Sequence, residues 1–223
     1  MTMSSIGDPD LEKARAEVYR FFATLFLNQP DQDLLNGILS DQGASALEAL
    51  FPHEPTVVQF RELVRDYGNG KNTSEEFLLD YEAMFRVPGD AYVHPYESVY
   101  RQENSDGGGG KKAMVYGVWA QEVAKLYEAE GLEPREGFTE LPDHLGVELE
   151  FMGYLCQRAA EAVASGDHKK AEIFGSKQRE FLQNHLLSWS DKCLMKMKEK
   201  ASTSLYRHLA NLLESFLAEE RSC

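Results

Sequence analysis

No proline interrupts the 81 residues that follow Pro142. A proline inside a helix removes a backbone donor and clashes with the preceding turn, so a proline-free run of this length favours helices above every other element. The apolar periodicity divides it into helices over about 143–164, 167–187 and 191–219, with a break expected in the last near Ala201. Strand alternation and hairpin turn signals are absent, and the predicted class is all-α.

The first half reads the same way with more punctuation. Asp8 is placed to cap a helix that has Pro9 at its first position and carries Leu11, Ala14, Val18, Phe22 and Leu25 on one face, ending before Pro30. Shorter helices follow over about 31–39, 44–50 and 55–67. Thr73 and Glu76 form a capping box that opens a helix bearing Phe77, Tyr81 and Phe85. Residues 86–112, with two prolines and five glycines, read as a long loop. Loops of that length inside folded chains are usually functional or disordered. Helical periodicity resumes from Met114 to Glu130, and Gly131 supplies the stop.

The chain thus reads as one helical domain over 1–223, with halves 1–135 and 143–223 joined by a hinge at 136–142. Such a hinge allows a monomer or a domain-swapped dimer. A formal net charge of -14 disfavours nucleic acid and anionic membranes as partners and favours cationic ligands. No lysine or arginine occurs between Arg20 and Arg61, or between Arg135 and Arg158, while carboxylates continue through both gaps. Cys156, Cys193 and Cys223 lack metal or disulfide spacing. With no 18-residue apolar run and no secretory leader pattern, a cytoplasmic location is expected and membrane insertion is not.

The stretch "TELPDHLGVELEFM", residues 139–152, carries the chemistry. His144 and Glu148 stand at i and i+4 on one helix face, so a metal-dependent or acid–base enzyme centred on this pair is one candidate, with Asp143 or His185 closing the ligand set. No Glu-x-x-His pair, HExxH, phosphate loop or nucleophile elbow supports it. In a purely structural role, Asp143 caps the helix, His144 packs across its end and Glu148 bonds a neighbouring group. Phe181, His185 and Trp189 make a stripe expected to pack in the core, with the histidine bonding across to another helix.

Four patches taken together, "FLLDYEAMF" at 77–85, "HPYESVY" at 94–100, "LPDHLGVELEFM" at 141–152 and "FLQNHLLSW" at 181–189, give a sequence that resembles the TorD/DmsD-like family of cytoplasmic molybdoenzyme maturation chaperones. The resemblance implies an all-helical, non-catalytic protein without a cofactor of its own. Such a protein binds the twin-arginine signal peptide and apoprotein of a molybdoenzyme catalytic subunit and holds them until molybdopterin is inserted, before export. It implies peptide-binding roles for Pro142, Asp143 and His144, for Tyr96, Glu97, Ser98 and Tyr100, and for Tyr81. His94 stands where many relatives have a second proline.

A receptor for a cationic, apolar leader needs carboxylates above an adaptable apolar floor. Asp143, Glu148 and Glu150 are candidates to face arginines, with Leu145, Leu149 and Met152 beneath. The expected groove lies between the 94–100 loop and the start of the 143–164 helix. Replacing Asp143 and His144 with alanine is then expected to weaken peptide binding with little effect on melting.

Overall fold

The computed structural model describes residues 8–51, 55–105 and 117–221. Among these residues the regular elements are all helical: α1 (Pro9–Leu27), α2 (Gln32–Ile38), α3 (Asp41–Leu50), α4 (Pro55–Gly68), α5 (Ser74–Tyr81), α6 (Glu97–Ser105), α7 (Val118–Ala129), α8 (Leu145–Ala164), α9 (His168–Phe181), α10 (Leu187–Lys200) and α11 (Ser204–Arg221). Local chemistry sets most boundaries. Asp8 Oδ1 accepts from the Asp10 amide at 2.9 Å, Asp31 and Ser40 cap α2 and α3, and the Thr73–Glu76 box opens α5. Gly131, at φ 72°, follows α7 in the left-handed conformation that glycine adopts without a steric penalty.

Two features depart from the sequence expectation. Part of the predicted 86–112 loop is the helix α6; residues 106–112, with the four-glycine run, lie outside the described residues. Two single wide π-turns, Glu82–Arg86 and Leu182–Leu186, extend α5 and join α9 to α10. Each inserts a residue into an otherwise α-helical ladder, which periodicity does not reveal. The expected break near Ala201 is present, between Lys200 and Ser204.

The chain divides into two compact units, and not at 136–142. The first contains 8–27 and 95–192, the second 28–94 and 193–221. The predicted hinge is an internal connection of the first unit, tied down where Tyr96 Oη donates to Glu140 at 3.0 Å and Tyr127 Oη to the Pro142 carbonyl at 2.9 Å.

In the first unit α8 lies along α1 and α9. Gly146 and Gly153, seven residues apart and so on one helix face, allow the close approach. A Cβ at Gly146 would stand 2.6 Å from Leu27 Cγ, and one at Gly153 would stand 3.2 Å from the Ala16 carbonyl oxygen. Leu145, Leu149, Met152 and Leu155 are fully buried on α8. A buried polar knot closes the unit's interior. Arg15 donates to Glu12 at 2.9 Å and to Gln178 at 2.8 Å, while Gln178 donates back to Glu12 at 3.0 Å. Each charge is thereby paired and hydrogen-bonded, which burial demands.

The second unit packs α11 against α4, with Phe51 and Phe216 edge to face at 6.2 Å. The start of α11 is held from α5. The Asp80 carboxylate accepts from the amides of Ser202 and Thr203, each at 2.9 Å, and from both hydroxyls, at 2.9 and 2.6 Å. Among the described residues no helix is long and apolar enough to cross a membrane.

Candidate functional site

The segment beginning at Pro95 runs beside residues 143–145 and is zipped to them. The Glu97 amide donates to the Asp143 carbonyl at 3.0 Å, the Leu145 amide donates to the Pro95 carbonyl at 2.8 Å, and Tyr96 and His144 form an isolated antiparallel bridge. The Asp143 side chain then accepts from the Ser98 amide at 2.9 Å. Ser98 lies in the first turn of α6, where amides have no intrahelical partner. Asp143 therefore caps α6 from a distant point in the sequence. The cap of α8 is His144, whose Nδ1 accepts from the Gly146 amide at 3.0 Å.

Of the nine candidate residues, eight converge here: Tyr96, Glu97, Ser98, Tyr100, Pro142, Asp143, His144 and Glu148. Tyr81 belongs to the second unit, buried beside Phe85 at 5.3 Å and Tyr206 at 6.2 Å. The eight do not line an open groove. Glu97, Asp143 and Glu148 each have 0% of their surface exposed, and His144 has 4%. Of the three carboxylates named as candidates to face arginines, Asp143 and Glu148 are buried and used internally, while Glu150 is exposed on α8. The predicted apolar floor of Leu145, Leu149 and Met152 is likewise closed.

Each buried acid has a defined partner. Glu97 Oε1 accepts from Arg101 Nη1 at 2.7 Å and from Ser188 Oγ at 3.4 Å, and its Oε2 meets His185 Nδ1 at 3.0 Å. Glu148 Oε2 accepts from Trp189 Nε1 at 3.0 Å. His185 stacks on Phe181 at 5.1 Å and Trp189 on Tyr100 at 5.6 Å, so the 181–189 stripe is core, with its histidine bonded across to α6. Among the described residues the second oxygens of Asp143 and Glu148 and the Ser98 hydroxyl, all buried, have no hydrogen-bond partner.

This crowding moves the acids' titration. Burial pushes the Glu148 carboxyl well above its usual 4.5, reinforced by the Glu97 charge and opposed by the Trp189 bond. Burial also raises Asp143, against the Ser98 amide bond that favours its charged form. The Tyr127 phenol, on the same cluster, is driven up by burial and then by Glu148, Glu97 and Asp143.

Sequence reasoning missed Arg101 and Trp119. Arg101 lies four residues after Glu97, a spacing that becomes meaningful only once 97–105 is helical. Its Nη1 also donates to the Asn184 carbonyl at 2.6 Å, and its guanidinium lies 3.4 Å from the centroid of the Trp119 ring. The metal or acid–base arrangement is not assembled. Glu148 is committed to Trp189 and His144 to its cap, and among the described residues no three His, Cys, Asp or Glu side chains are gathered as a metal needs.

A family model described as nitrate reductase delta subunit matches residues 52–195, more than half of the chain. The chain belongs to that family. Chaperone protein TorD of Vibrio parahaemolyticus is similar to this chain, 28% identical and covering 91% of this chain and 90% of its own. TorD of Vibrio cholerae is 23% identical, covering 96% and 93%, and TorD of Shewanella sp. strain ANA-3 is 26% identical, covering 97% and 96%. A crystal structure assigned to a redox enzyme maturation protein of Archaeoglobus fulgidus aligns over 89% of this chain and 93% of its own, at 21% identity and TM-score 0.47. The chain is thus a TorD-like member of its family, and its alternative as an enzyme is set aside.

Proposed function

We propose that this chain is a molybdoenzyme maturation chaperone that binds the twin-arginine signal peptide of a molybdopterin-containing redox enzyme subunit and holds the apoprotein for cofactor insertion before export. The observation that carries the proposal is similarity to TorD chaperones over nine-tenths or more of both chains. The convergence of eight family-type residues on one cluster supports it from the structure's side.

The buried acids act as positioning groups. Asp143 holds the first turn of α6, and Glu97 holds His185 and Arg101. Contact with the peptide falls to the half-buried rim of Tyr96, Glu140 and Pro142 and to the exposed Glu150. The apolar part of the leader supplies most of the affinity, and its arginines supply orientation and on-rate.

Capture of the client from native cytosol tests the proposal. A full-length client is expected to be retained, and one lacking its N-terminal leader is expected to pass through. Retention of both refutes leader recognition and leaves a helical module that binds folded partners. Rising ionic strength is expected to weaken the leader complex.

A further inference from the structure

Arg101 is held by three chemically different groups, and together they make a guanidinium receptor. Glu97 offers a carboxylate oxygen at 2.7 Å, Asn184 a backbone carbonyl at 2.6 Å, and Trp119 an aromatic face at 3.4 Å. A guanidinium has several in-plane donors and a weakly hydrated π face, so edge acceptors and a ring above the plane are its characteristic partners.

The receptor's parts come from three elements. Glu97 is fully buried, and its other oxygen is fixed by His185. The Asn184 carbonyl belongs to the wide turn at Leu182–Leu186, and such insertions recur at functional sites. Trp119 is carried by α7. An ordinary i,i+4 ion pair on a helix needs neither the carbonyl nor the ring.

The Arg101 side chain is 23% exposed, and Asn184 lies at the surface, so the receptor opens to solvent.

We propose that this is an arginine-binding cradle in which Arg101 is a resident surrogate, exchangeable for an arginine of a cationic peptide. The identity of that peptide rests on the signal-peptide proposal above. Exchange conserves the chemistry. One guanidinium leaves the carboxylate, the carbonyl and the ring, and another takes the same three contacts, so Glu97 is never left buried without a cation. The departing Arg101, on a long flexible stem, recovers hydration and rotamer freedom outside. Arg101 thereby acts as an autoinhibitory competitor that sets a threshold for the client.

The test is calorimetric titration of wild type and Arg101→Ala with a synthetic peptide bearing two adjacent arginines before an apolar segment, and with its twin-lysine counterpart. A competitor that fills the cradle nine-tenths of the time lowers apparent affinity about tenfold, so the variant is expected to bind the arginine peptide about tenfold tighter. The lysine peptide is expected to gain little, because ammonium lacks the planar fork. Arg101→Lys keeps a cation over Glu97 and gives the same comparison if the alanine variant does not fold.

Equal affinity of folded variant and wild type for the arginine peptide overturns the proposal and leaves leader recognition standing. If neither protein binds the peptide, thermal melting with methylguanidinium decides. Selective stabilisation of the variant over wild type, with no such effect of methylammonium, keeps the cradle while the leader fails, and no selective stabilisation sinks both.

Discussion

Replacing Glu148 with glutamine isolates the charge of a buried acid from its shape. The free carboxyl titrates near 4.5 and the folded one well above it, chiefly through burial. Below 4.5 both the folded and unfolded chains carry the proton, and the site adds no pH dependence. As pH rises from there towards the folded value, the unfolded chain releases the proton that the fold retains, and stability falls by about 1.4 kcal/mol per pH unit. The loss is complete once pH has passed the folded value. Glutamine keeps an oxygen for Trp189 Nε1 and has no proton to lose, so its stability relative to wild type should climb by that slope across the window. Its amide adds buried donors, but that contribution is independent of pH, which makes the slope the informative quantity. Urea unfolding followed by helical circular dichroism at several pH values above 4.5 measures it for both proteins. Parallel stability profiles of the two would refute the reasoning. Glu148→Ala, which strands the indole donor, is expected to lose at least the about 1–3 kcal/mol of an orphaned buried group at every pH.

Asp143→Ala with His144→Ala removes the caps of α6 and α8 together, so the melting temperature should fall by several degrees, roughly 2–4 °C per kcal/mol at this chain length; an unchanged melt restores the outward-facing picture. Asp80→Ala strands two amides and two hydroxyls at the start of α11 and is expected to destabilise by about 2–5 kcal/mol, with Asp80→Asn retaining part of that, as denaturant midpoints would show. Gly146→Val drives a side chain into Leu27, for which overpacking by about 1–3 kcal/mol is expected from urea titration, and a neutral result would mean that α1 shifts freely.

Helix positions in this chain are largely local facts. Pro9, Asp31, Ser40, Thr73 with Glu76, and Gly131 punctuate the sequence with chemistry that acts within one turn, and the proline-free run after Pro142 leaves long helices as the natural outcome. The four patches of family-type residues were likewise legible, since side-chain identity is all that a resemblance needs.

Tertiary structure alone decided what those residues do. The sequence displays Asp143 and Glu148 as acids among apolar residues, equally suited to a lined groove or a sealed knot. Their burial follows from the pairing of 95–98 with 143–145 and from donors supplied by Ser98 and Trp189, 45 and 41 residues away. The two wide turns, the helix within the expected loop and the meeting of Arg101 with Trp119 and Asn184 share that origin. Periodicity reports which face of a helix is apolar, whereas the partner that face meets is fixed by packing between segments far apart in the chain.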